Sequence, residues 1–177
     1  MLDAMTNSSD TASASTAPYR VLAVCTGNIC RSPMVEYLLR DACDDAGLAQ
    51  RVEIASAGTT GYEVGNPIDP RAGAILENRD TDPSAHRAQA ITAQMLRESD
   101  LILALDDDHI APLYRLAGSD TDKIRMIRSF DPEAGDDLGI RDPWYGSESD
   151  FDTAAEQIDA AIPGIVAFVR DELDRRG

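Results

Sequence analysis

The sequence has little positive charge. Lys and Arg together number 16 and Asp and Glu 32, which gives a formal net charge of −16 over 177 residues. Nucleic acids and anionic membranes are bound by basic surfaces, so this composition argues against either as a partner. A chain of this length corresponds to one domain of ordinary size and can bury a substantial core.

Long hydrophobic runs and a secretory signal are also missing. No apolar stretch reaches the length of about 18 residues that a transmembrane helix needs. Residues 1–18 are rich in Ser, Thr, Ala and Asp and lack both the charged and the apolar parts of a signal peptide. We therefore predict a disordered tail over residues 1–18, a folded domain over residues 19–177 and a cytoplasmic location, with export by another route left open.

Cysteine is scarce, because the chain contains Cys25, Cys30 and Cys43 and none beyond them. A small, odd number of cysteines argues against a disulfide framework and favours a reducing compartment. Cys43 falls on the apolar side of the first predicted helix, where we expect it in the core.

Short apolar runs alternate with helical patterns along the chain. Strands are predicted over residues 20–25, 52–57, 100–105 and 123–127. Helices are predicted to begin at Ser32, Asp69, Thr92, Asp106 and Ser149. This alternation predicts an α/β fold: a single domain with a four-stranded, mainly parallel twisted sheet and helices on both faces. Ligands of such sheets bind at the carboxyl ends of the strands.

Three local features refine this prediction. Ser32 is a good N-cap and Pro33 suits the first position of the helix that follows. Pro163 is expected to break or kink the last helix. Residues 131–141 are rich in Asp, Gly and Pro and are predicted to form a surface loop.

The loop after the first strand reads CTGNICRS over residues 25–32. Gly27 and Asn28 tolerate left-handed backbone geometry, which lets successive N–H groups turn inward as an anion-binding nest. The helix start adds partial positive charge, and Arg31 offers a planar guanidinium that can hold two phosphate oxygens. The sequence predicts an oxyanion site above Cys25, whose positive surroundings favour the nucleophilic thiolate.

Two segments resemble the low-molecular-weight protein tyrosine phosphatases. Residues 25–33 (CTGNICRSP) are similar to the signature loop of that family, and residues 141–146 (RDPWYG) to its general-acid loop. The segments SAGT at 56–59 and SFDP at 129–132 resemble actinobacterial members. The resemblance implies a four-stranded parallel sheet, a cysteinyl-phosphate intermediate, and neither a metal nor another cofactor.

The resemblance also implies roles for individual residues. Cys25 is expected to be the nucleophile, and Arg31 to stabilise the phosphoryl oxygens with the loop N–H groups. Asp142 is expected to protonate the departing phenolate and later to accept a proton from water. Ser32 is expected to assist the departure of the thiolate. Judged alone, Asp142 would be a turn-forming residue before Pro143.

Aromatic residues near the loop suggest the substrate class. Tyr62, Trp144 and Tyr145 are expected to wall a slot for an aromatic ring, although ordinary packing explains Tyr62 equally well. Relatives that act on phosphoarginine have Thr where this chain has Ile29, a residue typical of the tyrosine type. The predicted substrate-binding set is Thr26, Gly27, Asn28, Ile29, Cys30, Ser32, Tyr62, Trp144 and Tyr145.

The two histidines receive different predictions. His86, with Ser56, falls where the family has residues that support the loop Asn and Ser, so both are expected to hold Asn28 from behind. His109 follows Asp106–Asp108 and is predicted to lie on the surface. The three Asp residues are interpreted as a solvated helix start rather than a cation site.

Cys30 shares the short loop with Cys25, which motivates a redox hypothesis. Peroxide would join the two as a disulfide that dithiothreitol reverses; the alternative is a packed loop residue.

The expected activity is hydrolysis of phosphotyrosine in proteins by a monomer. An arsenate reductase of the same fold needs further cysteines downstream, and none follows Cys43. A phosphoarginine phosphatase is disfavoured by Ile29. A non-catalytic phosphate-binding module is the alternative from another class, against which the intact set of Cys25, Arg31 and Asp142 argues.

Overall fold

Four parallel strands form the centre of the molecule. The computed structural model describes residues 17–177, so the predicted tail over residues 1–18 lies outside the described residues except for its last two. The sheet has the order β2-β1-β3-β4, and every neighbouring pair is parallel. The α/β prediction is therefore confirmed. The strands are β1 (Tyr19–Cys25), β2 (Val52–Gly58), β3 (Leu101–Ala104) and β4 (Ile124–Met126).

Five α-helices are present in the described part of the chain. Asp69 and Thr92 cap two of them through their side chains, as the sequence predicts. The last helix is continuous, so Pro163 does not break it. The helices are α1 (Arg31–Asp45), α2 (Pro70–Glu77), α3 (Ala93–Glu98), α4 (Ile110–Ala117) and α5 (Glu148–Arg176), with 3₁₀ turns at Asp107–His109, Ile127–Phe130 and Pro143–Tyr145.

The start of α1 differs from the prediction. The helix begins at Arg31, one residue before the predicted cap, and Cys30 occupies the N-cap position without a side-chain cap bond. Ser32 does not cap the helix because its hydroxyl is turned inward, 2.9 Å from the sulfur of Cys25. A contact with Cys25, seven residues earlier in the same loop, has replaced the helix cap that the sequence favoured.

The core lies on both faces of the sheet. Side chains alternate along a strand, so Val21 and Ala23 of β1 face one side and Leu22 and Val24 the other. Helices α1, α2 and α5 cover the first side, and α3 and α4 cover the second. The core on the first side includes Cys43, as predicted. This packing fixes the carboxyl end of β1, where Cys25 lies.

Within residues 17–177, no helix is both long enough and apolar enough to cross a bilayer.

Candidate active site

The loop after β1 folds around the sulfur of Cys25. Asn28 adopts the left-handed φ of 59° that the loop needs, and its N–H lies 3.3 Å from Sγ. Ser32 Oγ lies 2.9 Å from the same sulfur. Cys25 is only 2% exposed, so its sulfur sits at the bottom of the loop with two hydrogen-bond donors directed at it.

The amide of Asn28 determines which way the Ser32 hydroxyl points. Its Nδ2 donates to Ser32 Oγ at 2.8 Å and to Ser56 Oγ at 2.9 Å, while Oδ1 accepts from the N–H of Gln89 at 3.0 Å. Since Ser32 accepts from Asn28, its own hydrogen is available to donate. The sulfur of Cys25 is its nearer acceptor, the alternative being the carbonyl of Ala57 at 3.4 Å.

A second layer of side chains holds the loop from behind. His86 Nε2 donates to the carbonyl oxygen of Asn28 at 2.7 Å. Ser56 donates to Glu36 Oε2, which lies on α1 and whose other oxygen accepts from Arg40. The structure thus places Ser56 and His86 against Asn28, where the sequence predicts them. Glu36 and Gln89 complete this layer, and no sequence signal indicated either of them.

Close backbone approach explains Gly58 at the end of β2. A Cβ there would lie 2.6 Å from the carbonyl oxygen of Thr26 and 3.2 Å from the backbone N of Asn28. Only glycine lets β2 lie this close to the loop.

Arg31, near the end of the loop, is 3% exposed. Its Nη1 donates to the Ile140 carbonyl at 2.9 Å and lies 3.5 Å from Asp106 Oδ2. Its Nη2 lies 3.4 Å from Thr26 Oγ1 and 3.5 Å from Asp142 Oδ2. Its Nε is buried and has no hydrogen-bond partner among the described residues. An unsatisfied buried donor is costly, and an oxyanion held by the loop would supply the acceptor.

The surface prediction for His109 is wrong. The 3₁₀ turn leaves Asp107 and Asp108 exposed and turns His109 inward, where it is 1% exposed. Nδ1 accepts from the N–H of Asp106 at 3.0 Å, so Nε2 carries the hydrogen and donates to Thr26 Oγ1 at 2.9 Å. Burial, and next the charge of Arg31, lower the pKa of His109 to about 4. The imidazole is therefore neutral near pH 7.

The segment before Asp142 is more buried than predicted. Ile140 lies in the predicted surface loop, yet it is fully buried. Its N–H donates to the Leu105 carbonyl at 2.7 Å and its own carbonyl accepts from Arg31. These two hydrogen bonds of Ile140 fix the chain just before Asp142, which lines the pocket. Asp142 Oδ1 then accepts from the N–H of Trp144 at 3.1 Å.

These groups surround an open pocket of about 220 Å³. Tyr62, Trp144 and Tyr145 are 90%, 46% and 85% exposed, and the rings of Trp144 and Tyr145 meet edge to face at 4.7 Å. Asn28 and Ser32, two residues of the same loop, are fully buried and do not line the pocket. Thr60 and Glu63 join the wall without having been predicted. The lining is Cys25, Thr26, Gly27, Ile29, Cys30, Arg31, Thr60, Tyr62, Glu63, Asp142, Trp144 and Tyr145.

Cys30 differs from Cys25 in its surroundings. Burial, and next the carboxylate of Asp69, raise the pKa of the Cys30 thiol, so it stays protonated near pH 7. Both side chains are free thiols, and the reversible disulfide stays a prediction. In residues 17–177, no three His, Cys, Asp or Glu side chains are grouped so as to hold a metal ion.

Known proteins resemble this chain over most of its length. The family model described as "Low molecular weight phosphotyrosine protein phosphatase" matches residues 20–175. A low molecular weight protein-tyrosine-phosphatase of Streptomyces coelicolor is 43% identical over 161 residues, which are 89% of this chain and 98% of that protein. Low molecular weight protein-tyrosine phosphatase A of Mycobacterium tuberculosis is 41% identical over 90% of this chain and 97% of its own length. The crystal structure of YfkJ from Bacillus subtilis superposes with a TM-score of 0.82 and 30% identity, covering 88% of this chain and 97% of that one. The chain belongs to the low molecular weight phosphotyrosine protein phosphatase family.

Proposed function

We propose that this protein hydrolyses phosphotyrosine in proteins through a phosphate bound covalently to Cys25. The observation that carries the proposal is the position of the Cys25 sulfur. It lies at the bottom of an open pocket and receives the N–H of Asn28 and the hydroxyl of Ser32, and a carboxyl group, Asp142, lies at the pocket wall.

In the first step, the Cys25 thiolate attacks the phosphorus atom and the bond between phosphorus and the tyrosine oxygen breaks. Asp142 gives its proton to that oxygen, so tyrosine leaves as a neutral phenol. Arg31 and the loop N–H groups stabilise the negative charge on the three phosphoryl oxygens, and the unpartnered Nε of Arg31 is one such donor.

In the second step, Asp142 accepts a proton from a water molecule whose oxygen attacks the phosphorus atom. The sulfur–phosphorus bond breaks and inorganic phosphate forms. The hydroxyl of Ser32, oriented by Asn28, donates to the departing sulfur at 2.9 Å and stabilises it as a thiolate.

The walls of the pocket support an aromatic substrate. Ile29 gives an apolar side to the slot, and Trp144 and Tyr145 offer ring faces and edges to a phenyl group. The Streptomyces and Mycobacterium relatives are named protein-tyrosine phosphatases, which agrees with this choice. We further propose a monomer that works in the cytoplasm. All groups of the mechanism come from one chain, and three free cysteines suit a reducing compartment.

The test is turnover of p-nitrophenyl phosphate and of phosphotyrosine, phosphoserine and phosphoarginine peptides in the presence of a metal chelator. We expect turnover of the first two substrates only. For the phosphotyrosine peptide, kcat/KM should be greatest on the acidic side of neutrality because an ionised Cys25 and a protonated Asp142 must coexist. Cys25→Ser should abolish turnover and Asp142→Ala should lower it by about 100-fold or more. Cys43→Ser, a buried cysteine outside the pocket, is the matched control. Activity that survives Cys25→Ser would exclude a covalent intermediate on Cys25. A preference for phosphoserine or phosphoarginine would exclude phosphotyrosine as the substrate class.

A further inference from the structure

Arg71, the second residue of α2, contacts two separate parts of the region around the site. Its Nε lies 3.1 Å from Asp69 Oδ1 and its Nη2 2.9 Å from Asp69 Oδ2. The same guanidinium lies 3.3 and 3.4 Å from the carbonyl oxygen of Trp144 and 3.4 Å from that of Gly146. These two carbonyls belong to the general-acid loop of residues 141–146, called the acid loop below.

The Asp69 side of this arrangement is attached to the loop that holds Cys25. The N–H of Asp69 donates to the carbonyl of Ile29 at 2.8 Å. Burial by itself would raise the pKa of Asp69, but hydrogen bonds from the side chain and backbone of Arg71 hold it below its ordinary value. The carboxylate therefore stays ionised and anchors the guanidinium.

On the other side, Arg71 holds the residue that orients Asp142. The N–H of Trp144 donates to Asp142 Oδ1 at 3.1 Å, and the carbonyl of Trp144 accepts from Arg71. The buried ring of Phe151 on α5 supports the guanidinium from 4.4 Å. The backbone of Trp144 thus binds the carboxyl group of Asp142 through its N–H and the guanidinium of Arg71 through its carbonyl oxygen.

We propose that Arg71 is a positioning residue for proton transfer: it holds the acid loop at a fixed distance from the loop of Cys25. The proposal rests on the proposed function, because it requires Asp142 to be the proton donor. Arg71 is outside the lining that the described residues form, so it acts through the acid loop and not on substrate. A planar guanidinium suits this role, because a lysine ammonium cannot bind a carboxylate in bidentate fashion and two carbonyls as well.

The basicity of the leaving group distinguishes positioning from a general structural role. A weakly basic phenolate such as p-nitrophenolate leaves without a proton, whereas a strongly basic one needs the acid. If Arg71 positions Asp142, its loss lowers kcat/KM more for basic leaving groups than for p-nitrophenolate. A merely structural loss lowers all of them by the same factor.

The experiment measures kcat/KM for a series of aryl phosphates, from p-nitrophenyl to phenyl phosphate, at one pH. Arg71→Met keeps an apolar stem against Phe151 and removes the donors. The matched control is Arg79→Met, since Arg79 also forms a bidentate pair, with Asp159 on α5 at 2.7 and 2.9 Å, but contacts no residue of the acid loop in the described structure. We expect Arg71→Met to lose about 10-fold or more with phenyl phosphate and less than about three-fold with p-nitrophenyl phosphate. In Arg79→Met, kcat/KM should depend on the basicity of the leaving group as it does in the wild type.

Asp142→Asn in the same series separates the possible failures. Among the variants, Asp142→Asn should show the steepest dependence of kcat/KM on the basicity of the leaving group. The double variant with Arg71→Met should show no steeper dependence, since Arg71 acts through Asp142. A uniform loss or no loss in Arg71→Met alone would overturn the positioning role. A wild-type dependence in Asp142→Asn would instead overturn the proposed acid, and this inference with it. If Arg71→Met fails to fold, as judged by circular dichroism, Arg71→Lys takes its place under the same criterion.

Discussion

The buried imidazole of His109 donates a hydrogen bond to the hydroxyl of Thr26, the residue that follows Cys25, at 2.9 Å. Nη2 of Arg31 also lies 3.4 Å from that hydroxyl, so the neutral histidine and the cationic guanidinium meet at one oxygen atom. A charged imidazole would place a second cation beside Arg31 without a surface to hydrate it. The geometry therefore requires His109 to stay neutral in the folded protein.

This requirement predicts a pH-dependent contribution to stability. The pKa of His109 is lowered to about 4 in the folded chain, whereas the unfolded chain has the ordinary value near 6.5. Between these values the unfolded state binds the additional proton, so the contribution is present above about pH 6.5 and is lost as the pH falls toward 4. We expect urea unfolding to show that the free energy of unfolding falls between about pH 7.5 and about pH 4.5 by about 2–3 kcal/mol more in the wild type than in His109→Asn. Equal losses in the two proteins would show that His109 titrates normally.

Asn28 should be needed for both its backbone and its amide. Asn28→Ala leaves Ser32, Ser56 and the Gln89 N–H without their partner and puts an ordinary side chain at a φ of 59°. Asn28→Gly removes the same amide but accepts the backbone angle. Both variants should lose about 10-fold or more in kcat/KM, and the alanine variant should be about 1 kcal/mol less stable than the glycine variant. Near wild-type turnover in Asn28→Gly would mean that the amide does not organise the loop.

The sequence predicted the parts of the site that follow local rules. The left-handed position of Asn28 and the strand-to-helix position of Cys25 could be recognised because the loop residues are consecutive, although Gly27 itself does not adopt a positive φ. His109 was misjudged because its neighbours are three Asp residues, and only the packing of the 3₁₀ turn shows that it points inward. Arg71 gave no signal, since its partners at Trp144 and Gly146 are more than 70 residues away in the chain.

The errors in the elements have two different causes. Ser32 and Pro33 form a standard helix start by local rules, yet the helix begins at Arg31, two residues before Pro33, and the hydroxyl of Ser32 contacts Cys25 in the same loop. Ile140 lies within a Gly- and Asp-rich segment, and its burial depends on pairing with Leu105 and Arg31.

Gly58 should tolerate no side chain. Gly58→Ala would put a Cβ 2.6 Å from the carbonyl oxygen of Thr26, so β2 and the loop would have to move apart. We expect a loss of about 1–3 kcal/mol in the free energy of unfolding, together with weaker inhibition by inorganic phosphate. Gly61→Ala is the control, since its added carbon meets only Val64, at 4.0 Å. Unchanged phosphate inhibition in Gly58→Ala would contradict the close approach.

The negative surface should influence which peptides are used. The chain carries a net charge of −16, and Glu63 adds a carboxylate to the pocket wall itself. Phosphopeptides with acidic flanking residues should have lower kcat/KM than those with basic ones. The difference should narrow between about 0.01 M and about 0.1 M salt, as the screening length falls from about 30 Å to about 10 Å. Glu63→Gln should reduce the difference at low salt. A salt-independent preference would show that long-range charge does not select substrates.

The most direct test of the proposed chemistry is to stop the reaction with acid during turnover of a phosphotyrosine peptide and to map covalent phosphate by mass spectrometry. We expect phosphate on Cys25 alone, formed in the presence of a metal chelator. It should accumulate in Asp142→Ala when p-nitrophenyl phosphate is the substrate, because that leaving group needs no acid whereas hydrolysis of the intermediate needs a base. Steady turnover without phosphate on Cys25 at any time, or phosphate on another residue, would contradict it.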